Sequence, residues 1–202
     1  MSPRGVAIPD LRERLFAAAE RVVARDGAAA LTSRAVTEEA DCGKGVLHTH
    51  FAGLDEFVAE LVLDRFARSA RHAGQLADLA GQGSVAGNLQ ESALTLLESL
   101  PPGVVSLAMT RPAAASHTRE GFQSGAPAFD AIQNSFSAYL QAEQRLGRLT
   151  PETDTATIAL ALVGTIHHLL MTRTPGESGD ARRTTERLLT VMLGPHTQRT
   201  TA

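Results

Sequence analysis

"LTSRAVTEEADCGKGVLHTHF", Leu31 to Phe51, sets two short helical patterns on either side of a turn-forming Asp-Cys-Gly. Thr32 suits the N-cap of a helix reaching about Ala40, and "KGVLHTH" predicts a second helix after the turn. Val36, Ala40, Cys42, Leu47 and Phe51 recur at the spacing of one inward face, which leaves Thr32, Ser33, Arg34, Lys44, Gly45, His48 and Thr49 pointing outward. Helix, tight turn and helix is the arrangement that lays the second helix in the DNA major groove while the first crosses the backbone. The apolar side holds the helix and the other side reads a partner.

Upstream, Leu11, Leu15, Ala19 and Val22 repeat at helical spacing, with Pro9 and Asp10 to start the helix and Gly27 to stop it. Leu15, Phe16 and Val22 would face the anchors of the two short helices. Downstream, a long helix is predicted from about Leu54 to Leu79, with Asp55 and Glu56 in its first turn and Gly81 and Gly83 at its end. Further helices are predicted over Ser84–Leu100, Val104 to about Thr110, Ala128–Leu146, Pro151 to about Arg173 and Asp180–Leu193. "TRPAAASHTREGFQSGAP", with two prolines and two glycines, reads as a loop or a broken helix. The expected fold is all-α: a tail at 1–9, a three-helix DNA-binding domain with a helix-turn-helix at 10–53, a larger helical domain at 54–194, and a tail at 195–202.

Composition agrees with that class. The 202 residues are 43% apolar and 20% charged, with no tryptophan, and alanine and leucine favour helix. The formal charge of -3 argues for no general attraction to nucleic acid, so a DNA reading rests on local geometry. Eighteen arginines against one lysine carry no functional weight. A lone cysteine excludes an internal disulfide, the N-terminus lacks a signal-peptide core, and the apolar stretch Ile158–Met171 is short for a bilayer and broken by Gly164, His167 and His168. These features predict a cytoplasmic protein with no membrane partner, in which that stretch is a buried helix.

The run from Asp26 to Phe57 resembles the DNA-binding region of the tetracycline-repressor-like (TetR) family of bacterial regulators. Gly27, Thr32, Arg34, Ala40, Lys44, Gly45, Leu47, His50 and Phe51 match that family's pattern, which ends in a Lys-Gly-x-Leu-Tyr-x-His-Phe type of signature. The likeness covers roughly the first quarter of the chain. It departs from the pattern at Asp41, which stands in place of a turn glycine, and at Gly43, His48 and Leu54, each of which removes a phosphate donor. The resemblance implies that Thr32 and Ser33 bind phosphate, Arg34 and Lys44 reach base edges, and Gly45 permits close approach. It further implies that Val46 meets a thymine methyl and that His48, Thr49 and His50 set against the DNA backbone. It also implies that 54–194 is an effector-binding and dimerisation domain, and that the protein is a homodimeric repressor, bound to a palindromic operator and released by a small, largely apolar effector. An effector-free helical DNA-binding or protein-interaction dimer is the alternative.

Other candidates weigh less. Cys42 invites a redox reading, but a free cysteine commonly serves as a small core hydrophobe. His48 and His50 point about 200° apart on a helix, which excludes a metal pair, and neither a metal nor a cofactor is expected. Phe129, Phe136 and Tyr139, with Met109, His117, Phe122 and His168, would line an apolar effector pocket, although such a stripe is more often plain core. Ala156, Leu160, Gly164 and His168 recur every fourth residue, and with the small Ala161 and Thr165 they suit a close helix–helix contact, hence a four-helix dimer interface. No nucleophile elbow, phosphate loop or metal cluster supports an enzyme.

Overall fold

The computed structural model describes residues 10–172, 178–194 and 196, and every regular element among them is helical. Ten α-helices follow in order: α1 Leu11–Asp26, α2 Ser33–Glu39, α3 Val46–His50, α4 Leu54–Gly74, α5 Val85–Ser99, α6 Pro102–Thr110, α7 Pro112–Gln123, α8 Phe129–Arg145, α9 Thr155–Thr172 and α10 Ser178–Leu193. The chain forms two compact units. One takes the residues up to Val62 together with Gly103–Gly121, and the other takes Leu63–Pro102 with the described residues from Phe122 onward. The sequence suggests a single cut near residue 53, whereas the partition is discontinuous: α4 serves both units, and α6 and α7 belong with the first.

In the first unit α1 packs on α2 through Leu15, Phe16, Ala19 and Val22, all essentially buried. Phe16, Phe51 and Phe57 form an aromatic cluster, with Phe51 and Phe57 edge to face at 5.0 Å. α6 joins this core because Gly103 lets it approach α1, where a Cβ would come 2.5 Å from Val23 Cγ1. Arg111 donates to the Asp55 carboxylate at 2.7 Å and ties the entry of α7 to the first turn of α4.

The segment from Pro112 is not a loop. α7 is a continuous helix, because proline at the first helical position loses no hydrogen bond and Ala113, Ala114 and Ala115 are strong helix formers. Only the stretch around Gly125, at φ 99°, is irregular.

In the second unit α8 packs on α9, α5 on α10, and α9 on both α5 and α10. Its core includes Leu89, Leu96, Ile132, Phe136, Tyr139, Leu140, Leu162 and Ile166. α4 gives way to a 3-10 turn over Gln75–Leu79, so the long helix ends five residues earlier than expected. The positive φ of Gly81 and Gly83 then turns the chain into α5. Buried Glu143 holds that turn: its carboxylate accepts from the Gly81 N–H at 3.2 Å and pairs with Arg148 at 3.3 Å. α9 starts later than Pro151, since Asp154 caps it by accepting from the Thr157 N–H and hydroxyl. Those same hydrogen bonds hold the Asp154 carboxyl below its ordinary range.

α9 is also not buried all round. By length and composition it is the one helix among the described residues that could cross a membrane. One face packs inside, including Ile158, Leu162, Val163 and Ile166, while Leu160 is 57% exposed and Met171 42% exposed.

Candidate nucleic-acid interface

α2 begins as its sequence directs. The Thr32 hydroxyl oxygen accepts from the Ala35 N–H at 3.0 Å, which leaves the hydroxyl proton free for an incoming acceptor. The helix ends at Ala40, and Asp41 then takes φ 50°, a left-handed conformation that Asp tolerates better than most residues. The Cys42 N–H closes the turn onto the Thr37 carbonyl at 3.0 Å.

Three arginines of α1 lock this turn from behind. Arg14 donates to the Ala40 carbonyl at 2.7 Å, and Arg21 and Arg25 both donate to the Glu39 carboxylate, at 2.7 and 2.8 Å. These hydrogen bonds, that from Arg21 first, hold the Glu39 carboxyl below its ordinary range. The sequence reading passed over this network. Its signal is present as Arg14, Arg21 and Arg25 on one helical stripe, but the partner Glu39 lies in another helix.

α3 is shorter than expected. Lys44 and Gly45 lie in a turn ahead of it, because neither Gly43 nor Gly45 offers a capping side chain and the five-residue helix starts at Val46. Leu47 and Phe51 are buried as anchors. Thr32, Arg34, Lys44, Gly45, His48, Thr49 and His50 are exposed, while Ser33 and Val46 are half-buried. The structure therefore brings the expected DNA-facing residues onto the outside of one helix-turn-helix.

Besides Thr32, two of these side chains already have partners. Thr49 donates its hydroxyl to the Gly45 carbonyl, and Arg34 is paired with Glu38, four residues on, at 2.7 Å. Arg12 stacks over the rings of Phe16 and Phe51, with its guanidinium carbon 5.0 and 5.7 Å from their centroids. Cys42 is half-buried, and burial pushes its thiol up, so thiolate is scarce at neutral pH and the packing role fits.

The expected effector residues are divided between the two units, with His117 in the first and Phe122, Phe129, Phe136, Tyr139 and His168 in the second. Phe136 and Tyr139 are fully buried core, and the Tyr139 hydroxyl accepts from the Asn88 amide at 2.9 Å. Burial pushes that phenol above its ordinary range. Phe122 and Phe129 each pack edge-on against Phe66, and Phe129 also meets His167. His168 is exposed, as is His167, so neither histidine faces the interior. His117 is exposed beside Glu120 and belongs to the first unit, and the Met109 side chain lies outside the described residues. The expected dimer residues fare differently: Ala156, Leu160, Gly164 and His168 form one exposed stripe of α9, with Ala161 and Thr165 half-buried at its edge.

Residues 15–61 match the family model of bacterial regulatory proteins of the tetR family. The fold is similar to that of a putative TetR-family transcriptional regulator from Mesorhizobium loti, with TM-score 0.71 and 15% identity over 96% of this chain and 100% of that one. It is also similar to SmeT, the repressor of the Stenotrophomonas maltophilia multidrug efflux pump SmeDEF, with TM-score 0.60 and 18% identity over 94% of this chain and 91% of that one. The complex of SmeT with triclosan matches with TM-score 0.64 and 18% identity, over 94% and 93% of the two chains. No curated protein sequence matches the chain.

Proposed function

We propose that this chain, a member of the tetR family of bacterial regulatory proteins, is a cytoplasmic homodimeric repressor that binds a near-palindromic DNA operator and leaves it when a small, largely apolar molecule binds. The observation that carries the DNA-binding part is the helix-turn-helix whose apolar side is buried while Thr32, Arg34, Lys44, His48 and His50 stand outside. Two-fold symmetry would set the two α3 helices in successive major grooves, with half-sites about one helical turn apart. Selection from random DNA followed by footprinting tests this, and binding indifferent to sequence would overturn it.

The proposed roles separate by substitution. Arg34→Ala should relax base preference by about 1–3 kcal/mol at one operator position, whereas Thr32→Ala should weaken all sequences alike. Glu38→Gln should act in the opposite direction. The exposed Arg34–Glu38 pair must open before the guanidinium reaches a base, and such i,i+4 pairs contribute about 0.3–0.5 kcal/mol. Removing a carboxylate beside DNA phosphates adds to that gain, so affinity should rise a few-fold at low salt and less at high salt. Fluorescence anisotropy at two salt concentrations reads both variants, and unchanged affinity for Glu38→Gln would mean that the pair does not restrain Arg34.

Dimerisation through α9 and α10 is supported by the exposed apolar side chains Leu160, Met171 and Val191. SmeT is a repressor that has been obtained with triclosan bound, and by analogy the second unit here would take the effector. Release needs a ligand that prefers the conformation with misplaced reading heads, and a coupling of about 1–3 kcal/mol suffices. α4 is the continuous chain segment through which that preference would pass, from Leu54 in one unit to Gly74 in the other.

A further inference from the structure

Within the second unit, a groove of about 710 Å³ lies between the end of α4, with its 3-10 turn, and the first turns of α5. Leu76 and Leu79 give it an apolar lining. Asp78 and Glu91 contribute two exposed carboxylates, and among the described residues neither has an ion-pair partner. Elsewhere among the described residues Asp55, Asp64, Glu39, Glu60 and Glu143 each face an arginine. His72 is the one other titratable lining group, and no lysine or arginine lines the groove.

Ser92 supplies a separate observation. It lines the same groove, is only 5% exposed, and its hydroxyl has no hydrogen-bond partner among the described residues. Thr95, Ser135 and Thr165, also within helices, each donate to the carbonyl four residues back. A buried hydroxyl left unpaired is unfavourable, so a partner for Ser92 is most simply a group that enters the groove. The wall beside it is fixed in advance: the Asn88 amide donates to the Gln82 carbonyl and to the Tyr139 hydroxyl, both at 2.9 Å.

We propose that this groove binds an apolar amine in its protonated form, and that such amines are the effector class. The hydrocarbon body rests on Leu76 and Leu79, the ammonium faces Asp78 and Glu91, and an N–H of the ligand satisfies Ser92. Anionic ligands are excluded by the same two carboxylates, since specificity rests as much on repulsion as on attraction. The effector role rests on the ligand-released reading given above; the binding site does not.

Three molecules of one shape and different charge test it: 4-phenylbutylamine, 4-phenylbutanol and 4-phenylbutanoate, titrated into the full chain at pH 7 by heteronuclear NMR. The amine should bind at one site per chain, the alcohol about tenfold more weakly, and the carboxylate not measurably. The double substitution Asp78→Asn with Glu91→Gln should bring the amine down to the alcohol and leave the alcohol unchanged. Ser92→Ala should weaken the amine several-fold while leaving the free protein at least as stable, which a merely structural serine would not do. The proposal is overturned if the alcohol or carboxylate binds as tightly as the amine, if the preference survives the double substitution, or if none of the three binds. Operator release recorded in parallel separates the two readings. Amine binding without release keeps the site and removes the effector role, and release without charge preference keeps the regulator and removes the site.

Discussion

Replacing Phe57 by alanine should cost about 3–5 kcal/mol, the largest stability loss expected for any single substitution in the first unit. Phe57 is fully buried, and its ring centroid lies 5.5 Å from that of Phe16 and 5.0 Å from that of Phe51. Those three rings come from α1, from the residue that closes α3, and from α4, so one truncation loosens three elements. A domain of this size is stable by about 5–15 kcal/mol in total, and the loss would therefore consume much of it. Urea unfolding followed by circular dichroism should show a large drop in midpoint, and DNA binding should fall with it. Phe129→Ala, at a half-buried ring in the other unit, serves as the comparison and should cost less. A loss below about 1 kcal/mol for Phe57→Ala would mean that the aromatic cluster repacks, and that α3 is held mainly by Leu47.

Much of this unit is legible in the sequence because its signals are local. Thr32 caps α2, Gly27 at φ 84° ends α1, and Asp41 turns left-handed, each decided by the residue itself and its near neighbours. The misreadings share another cause. Pro112 looks like a breaker, yet at the first position of α7 it belongs, and only a neighbouring helix end distinguishes the two cases. Lys44 and Gly45 look helical by pattern, but without a capping side chain α3 does not begin until Val46. Contacts between elements distant in sequence do not name their partners, even where one side leaves a stripe such as Arg14, Arg21 and Arg25. The arginine clamp on Glu39, the close approach of Gly103 to Val23, and the unpaired hydroxyl of Ser92 belong to this group. The groove is hidden for the same reason, since a charge count along the chain does not say that Asp78 and Glu91 face one space.

With the proposed dimer interface on α9, Gly164→Trp should give monomers and remove most operator affinity while leaving the single chain folded. Gly164 lies mid-helix on the exposed stripe of α9, four residues from Leu160 and from His168. A Cβ built there meets nothing within 4 Å, so within one chain a larger side chain has open space. Tryptophan is also a better helix former than glycine, by a few tenths of a kcal/mol, and the isolated fold should not suffer. Packed helices approach to about 8–10 Å between axes, and small side chains at the crossing permit the closer end of that range. An indole at the crossing would force the helices apart along the whole stripe and separate Leu160, Met171 and Val191 from their counterparts. Sedimentation should give the mass of one chain, 21.3 kDa, for the variant and about twice that for the parent. Once the two heads are unlinked, each half-site is bound independently, which should lower operator affinity by about 10²–10⁴-fold. Gly164→Ala, which adds one methyl group, should keep the dimer and so guard against an effect of helix propensity alone. A tryptophan variant that sediments as a dimer as stable as the parent would place the interface on a different face of the second unit.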